Sequence, residues 1–313
     1  MALHGLGRSH RRDGAPVTLV DAVPAAVGRI DRPRRRRGVL RSALGLWRTR
    51  IGVVIVVLVA GIAIVGPFVA PHGATEFVGT PNTSDVDGIL FGTDALGQDV
   101  WARFLLGGRI ILVLAVVSTV IGLSIGAVIG LIAAYDRGRL DNLLMRTMDI
   151  VFAFPNLLLA LVAITTLGRR YWVIVLIVSL TAVPRVARIV RGAALGVVER
   201  DFISASEALG ESRAHILGVE LLPNVAGPLL VEANLRLTYS IALIGALGFL
   251  GFGVGLNQAD WAQMINENRA ALTSQPWGTI LPIFAIGALT VGVGLIADGL
   301  GRSVAGIDRK RPE

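Results

Sequence analysis

Long apolar stretches recur along this chain, and each is long enough to cross a lipid bilayer as a helix. A hydrocarbon core asks for about 20 apolar residues per crossing. Residues 51–70 meet that length and end at Gly66-Pro67 and Pro71. Residues 109–134 form a second run, stopped by Tyr135-Asp136-Arg137-Gly138-Arg139. A third lies between Asp149 and about Leu167, a fourth over 171–189, a fifth over 227–252 and a sixth over 277–297. The composition agrees: 53% hydrophobic, 17% charged, mean hydropathy +0.68, so a membrane protein is expected rather than a soluble domain. The runs are solidly apolar rather than alternating, which favours helices over a β-barrel. The expected fold is therefore all-α and polytopic, with six transmembrane helices.

Six crossings put both termini on one side of the membrane. Twelve arginines precede the first run, four of them consecutive at Arg34-Arg35-Arg36-Arg37, and they dominate a net charge of +8. Arg137, Arg139, Arg146, Arg185, Arg188, Arg191, Arg200, Arg213, Arg302, Arg309 and Arg311 fall on the same side as those twelve. The positive-inside rule makes that side the cytoplasm. Arg103, Arg109, Arg169, Arg170 and Arg269 fall opposite and are the minority. Beside a span, the arginine run reads as an anchor on anionic lipid; nucleic-acid binding is the competing reading. The first 40 or so residues show no lasting period and are expected to be disordered. The run after them is too long, and lacks the small-x-small exit, for a cleaved signal peptide.

The residue inventory excludes several chemistries. There is no cysteine, hence no disulfide, thiolate nucleophile or iron–sulfur cluster. His4, His10, His72 and His215 are scattered without metal-ligand spacing. Lys310 is the only lysine and follows no glycine-rich turn, so a Walker A loop is impossible. No cofactor is expected on this chain, and if ATP drives it, another subunit holds the nucleotide. A membrane enzyme would cluster His, Asp, Glu or Ser at the interface, and no convincing set exists. A stand-alone secondary transporter would place several acids deep in its spans; only Glu232 qualifies. Gly122, Gly126 and Gly130, four apart, form a stripe that lets a second helix approach closely. Gly245, Gly248, Gly251, Gly253 and Gly255 near the end of the fifth run read as packing or as local loosening.

One connection stands out. Residues 201–224, DFISASEALGESRAHILGVELLPN, form a polar, helix-prone segment between apolar runs. Phe202, Ala205, Ser206 and Leu209 can share one face, and Ile216, Leu217 and Leu221 another, with Gly210 between them. A glycine there permits a turn that a side chain would oppose. Two short helices meeting at Gly210 would make a compact knob, with Glu199, Asp201, Glu207 and Glu211 available for charge contacts. A merely solvated loop is the alternative, but it leaves the apolar residues unexplained.

The segment resembles the EAA loop of inner-membrane subunits of bacterial binding-protein-dependent ABC importers. Ala205-Ser206-Glu207-Ala208-Leu209-Gly210 and Leu221-Leu222-Pro223-Asn224 carry the likeness. The leading glutamate of the pattern is absent, and Glu207 and Glu220 stand where relatives usually have a basic residue and a histidine. Phe91-Gly92-Thr93-Asp94-Ala95-Leu96-Gly97-Gln98-Asp99-Val100, then Arg103 and Gly107-Gly108-Arg109, are similar to the C-type subunit of dipeptide/oligopeptide permeases. So are Asp141, Met145-Arg146, Asp149, Phe154-Pro155, Ala187-Arg188-Ile189-Val190-Arg191, Leu247-Gly248-Phe249-Leu250-Gly251, Trp261, Pro276-Trp277 and Asp298-Gly299-Leu300. The likeness covers about 40–310.

The resemblance implies a type I importer permease fold (MetI-like) and a division of labour. Residues 1–50 are a basic cytoplasmic tail, 51–70 the first helix and 71–108 an extracytoplasmic segment. Residues 109–301 are a five-helix core carrying the loop at 199–224, and 302–313 a cytoplasmic tail. Phe202, Ala205, Ser206, Glu207, Ala208, Leu209, Gly210, Glu211 and Ser212 would couple to one of two ATP-binding subunits, which carry ATP and Mg. The other implied partners are a homologous B-type permease and an extracytoplasmic substrate-binding protein, in a bacterial inner membrane. Implied substrates are dipeptides or oligopeptides, with nickel chelate or haem as alternatives. Asp260 and Trp261 are candidates for docking the binding protein, although Trp261 and Trp277 read equally as interfacial anchors. Glu232 and Arg236, spaced i,i+4, form either a structural salt bridge or part of the translocation path.

Overall fold

The computed structural model describes residues 43–84, 86–253 and 258–305. The arginine-rich tail before residue 43, Gly255, and the C-terminal tail from 306 onward lie outside the described residues. Among those described, the chain is almost wholly helical. The elements are α1 (Trp47–Val69), α2 (Val100–Asp136), α3 (Arg139–Ala153), α4 (Asn156–Leu167), α5 (Tyr171–Val198) and α6 (Asp201–Ala208). After them come α7 (Leu222–Leu247), α8 (Trp261–Asn268) and α9 (Trp277–Ala305).

Five helical stretches are long and apolar enough to cross a membrane by themselves: α1, α2, α5, α9 and the continuous run Arg213–Phe252 that contains α7. The sixth crossing is a broken one. Between α3 and α4 the axis bends by 81° at Phe154-Pro155. Pro155 cannot donate a backbone N–H and holds Phe154 extended, which ends α3 there. The expected third span from Asp149 is thus corrected: the helix starts ten residues earlier, at Arg139, and snaps midway.

Other boundaries move for a single reason. Hydropathy marks only the apolar middle of a helix, whereas the helix continues until a cap ends it. Thus α2 begins at Val100 rather than 109, because the Asp99 side chain accepts from the backbone N–H of Trp101 at 2.8 Å and of Ala102 at 3.2 Å. It runs to Asp136, where Arg137 takes a left-handed conformation, φ 51°. Likewise α5 continues nine residues past 189, and α9 to Ala305.

The core is built on close backbone approach between α2 and α5. A Cβ placed on Gly122, Gly126 or Gly130 would lie 2.8 Å from Ser179 O, 2.6 Å from Val186 Cβ and 2.5 Å from Ala187 O. These distances leave no room for a side chain, so the stripe is a helix-packing seam. The matched pairs ascend together along both helices, so α2 and α5 run parallel. At the far end α9 packs along α1, with Gly52 against Gly292 and Thr49 against Gly299. Gly66 near the end of α1 meets Leu105 near the start of α2, so Trp47 and Ala305 lie at the same end of the bundle as Asp136, Val198 and α6.

The opposite end is closed by a cap made from residues 70–99, α8 and the residues before α9. Arg103, 1% exposed, is ion-paired with both Asp94 and Glu267, the latter at 2.9 Å. Asn268 accepts from the backbone N–H of Ala95 at 2.9 Å and donates to Met264 O at 2.9 Å. Gln275 donates to Phe91 O at 2.7 Å. Rings of Phe91, Trp101, Phe104 and Trp261 follow one another at centroid distances of 5.4 to 5.6 Å. Loop, α2 and α8 are thereby joined by paired charges and stacked rings rather than by lipid-facing contacts.

Candidate functional site

At the end opposite the cap, α6 projects from the bundle and the chain reverses at Gly210. That residue has φ +79°, a conformation costly for any side chain other than glycine. The second limb begins at Ser212, whose side chain accepts from the backbone N–H of His215 at 3.3 Å. It passes through a π-helical turn at Ile216–Leu221 into α7. Pro223 follows directly on that π-helical turn, in the first turn of α7.

Three apolar side chains hold this knob to the bundle. Ile203, Ile216 and Leu221 are buried in one cluster with Leu131 and Ala134 of α2 and Val190, Ala194 and Val197 of α5. The sequence pattern groups Phe202, Ala205, Ser206 and Leu209 on one face of α6; the structure turns that face outward and packs Ile203 against the bundle. Phe202 and Leu209 are left exposed, Leu209 to 83%. Ala205, Glu207, Ala208, Glu211 and Ser212 are exposed as well, and Ser206 is partly so. The base is braced by charge: Arg137 reaches Glu199 at 3.4 Å and donates to Leu195 O at 3.3 Å. Arg191 makes a two-pronged bond to Asp141, both distances 2.6 Å, and Arg188 meets Asp149 at 2.5 Å. A base held by ion pairs thus presents an apolar and acidic tip.

Midway between knob and cap lies a cavity of about 340 Å³ between the α3–α4 break, α5 and α7. Arg185, Arg236, Tyr239, Phe152 and Asn156 line it. Arg236 and Glu232 are buried, with Nε and Oε1 2.7 Å apart. The structure brings them together as the i,i+4 spacing predicts; Arg236 lines the cavity, whereas Glu232 is set behind it as counter-ion. The sequence pattern does not single out Arg185 for the path. By sequence it is one more arginine of the positive-inside set, and only the bend at Pro155 opens the space it faces.

The two residues expected to dock the binding protein are corrected. Trp261 is fully buried and donates its indole N–H to Phe104 O at 2.7 Å. Such a residue touches neither a protein partner nor the membrane interface. Asp260 is buried too; its carboxylate caps α8 by accepting from the Ala262 N–H at 2.8 Å. Burial pushes its carboxyl up to about 6, against the opposing pull of backbone N–H groups. Trp277 keeps partial exposure and meets Phe91 at a tilt of 57°, centroids 5.2 Å apart. No cluster of three metal-ligating side chains occurs among the described residues.

The chain is thus a multi-span helical bundle with a mid-height cavity lined in part by polar residues and an anchored, protruding helical turn. Residues 126–306 match the family of binding-protein-dependent transport system inner membrane components. The chain is 34% identical over 259 residues to a Brucella suis protein named as a candidate peptide transport system permease, covering 80% of this chain and 85% of that one. It is 33% identical over 256 residues to the di/tripeptide transport system permease protein DppC of Pseudomonas aeruginosa, covering 80% and 84%. Over 247 residues it is 33% identical to the glutathione transport system permease protein GsiD of Escherichia coli, covering 78% and 82%. The chain belongs to this family of ABC importer inner-membrane permeases, and within it to the DppC/OppC type.

Proposed function

We propose that this chain is the C-type permease subunit of an ATP-driven importer for dipeptides or oligopeptides. A substrate-binding protein delivers the peptide to the capped face. A homologous B-type permease completes the passage, and two ATP-binding subunits, which hold the ATP and Mg, supply the force. Both termini then lie in the cytoplasm with the knob.

The observation that carries this reading is the knob itself: three buried anchors beneath a tip whose apolar residues, Phe202 and Leu209, have no cover. An exposed apolar tip on a braced base is suited to a groove in an ATPase subunit. Closure of the ATPase pair would move α6, and the anchors Ile203, Ile216 and Leu221 would pass that displacement to α2, α5 and α7. Rocking of these helices against the partner permease alternates access to the cavity. With Asp260 and Trp261 buried, exposed Phe77, Leu90 and Leu272 of the capped end take over as the contacts for the binding protein. Peptide cargo follows from what the relatives are named for, di/tripeptides and glutathione.

The test is reconstitution. Proteoliposomes holding this chain, its partner permease and both ATPase subunits should accumulate labelled dipeptide only when ATP and the binding protein are supplied. Accumulation by this chain alone, or without ATP, would contradict the reading.

A further inference from the structure

The cavity carries an excess of positive charge at a height where charge is expensive. Arg185 sits midway along α5, about 21 Å from Tyr171 and a similar distance from Val198 at 1.5 Å per residue. The residue is exposed on the isolated chain, and among the described residues it forms no ion pair. Its neighbours are aromatic: it lies 5.4 Å from the Phe152 ring centroid and 5.9 Å from that of Tyr239. Arg236 approaches the same Tyr239 ring at 4.6 Å. Two guanidiniums therefore share one ring, and the single carboxylate beside them, Glu232, is engaged by Arg236. The cluster is one positive charge over balance. An unpaired arginine at this depth is not tolerated against lipid tails; it faces water, an anion or a protein acid.

We propose that Arg185 is the docking point for a free carboxylate on the transported peptide, with Arg236 and Tyr239 as the second wall of that subsite. This rests on the permease reading above and adds a substrate feature to it. A planar guanidinium offers two parallel N–H donors to a carboxylate, and a site away from bulk water strengthens that match. Tyr239 and Phe152 lie within cation–π reach of the guanidinium and offer it no acid. Asn156, Thr181 and Ser240 in the same cavity supply polar groups for a peptide amide. Glu232, by neutralising Arg236, keeps the net charge at one, so a single carboxylate balances the site and can leave again. The site thus reads the end of a peptide rather than its sequence.

The experiment uses the assembled transporter in nanodiscs and an arginine-directed dicarbonyl, phenylglyoxal, with site-resolved mass spectrometry as readout. No substitution is made, so folding is not at stake. Modification of Arg185 is followed with alanyl-alanine, with alanyl-alanine amide, and with aspartyl-alanine amide, whose only carboxylate is on a side chain. Exposed Arg170 serves as the internal control. Alanyl-alanine should slow modification of Arg185 saturably, by at least about fivefold, since occupancy divides the rate by one plus the ratio of ligand to dissociation constant. The Arg170 rate should not change, and the dipeptide amide should protect neither. Protection by aspartyl-alanine amide would widen the subsite to any carboxylate. Equal protection by the dipeptide amide, no protection, or an Arg185 that is never modified because the partner permease covers it would each overturn the proposal. So would protection that appears with phosphatidylglycerol discs and not with phosphatidylcholine discs, which would assign the charge to lipid. ATP-dependent uptake that persists alongside any of these results would leave the permease reading intact and remove only the carboxylate subsite.

Discussion

The two ends of this bundle solve the same problem in opposite ways. At the capped end, charges and amides are drawn inside and paired with one another: Arg103 between Asp94 and Glu267, Asn268 on Ala95, Trp261 on Phe104 O. At the other end, only Ile203, Ile216 and Leu221 are buried, and nearly everything else from 204 to 215 is exposed. The cap pairs its buried charges within its own chain, while Phe77, Leu90 and Leu272 stay exposed on it. The knob is complete as a fold but unfinished as a surface. Paired buried charges on one side and exposed apolar side chains at the tip on the other set the two ends apart.

The largest expected effect lies in the cap. Arg103→Met strands two acidic groups beside an apolar side chain, and removing one member of a buried pair costs about 3–5 kcal/mol. Thermal unfolding of the purified protein in detergent should drop accordingly; an unchanged midpoint would mean that the cap does not depend on this network. Ile203→Ala should cost about 2–4 kcal/mol of local packing in the knob. There the expected signature is faster amide exchange over 201–215, with the cap and spans unaffected. Exchange that accelerates everywhere would erase the distinction between the two ends.

Asp260 gives the cap a pH signature. Its carboxyl keeps a proton up to about pH 6 when folded but only to about pH 4 when unfolded. The folded protein binds more protons between those values, so its stability falls as pH rises through the window, by at most about 3 kcal/mol. Asp260→Asn should flatten that part of the melting curve against pH, while a slope equal to wild type would assign it to other groups. Gly210→Ala is a smaller change, about 1–2 kcal/mol from the left-handed backbone. It should reduce peptide uptake more than it reduces stability, because it distorts the turn that shapes the tip. Smallest in stability is Leu209→Ser, expected to leave the melting midpoint in place and to lower ATP-dependent uptake. If uptake holds, the exposed tip is not the coupling surface.

Much of the fold is legible in the sequence because it depends on local pattern. Apolar length locates the middle of every span, the Gly122, Gly126 and Gly130 stripe locates a helix seam, and Gly210 locates the turn. The pairing of Glu232 with Arg236 follows from helical spacing. What cannot be read depends on distant partners. Trp261 is hidden by Phe104, 157 residues away, and Arg103 is paired with Glu267, 164 away. Neither pairing leaves a trace in the residues around Trp261. Arg185 groups with the surface arginines in the sequence because periodicity carries no information about the cavity opened by the bend at Pro155. That Ile203 is the residue of α6 packed inward depends on its contacts with α2 and α5, which the pattern of a short, polar segment does not show.

The central claim is that the tip of the knob seats in an ATPase subunit, and the absence of native cysteine permits a direct measurement. Ala208→Cys, combined with single cysteines along the groove of the co-expressed ATPase, should form a disulfide cross-link in native membranes, with a yield that changes on adding ATP. An introduced thiol that never cross-links, and that reacts in intact cells with a membrane-impermeant maleimide applied from outside, would contradict the account.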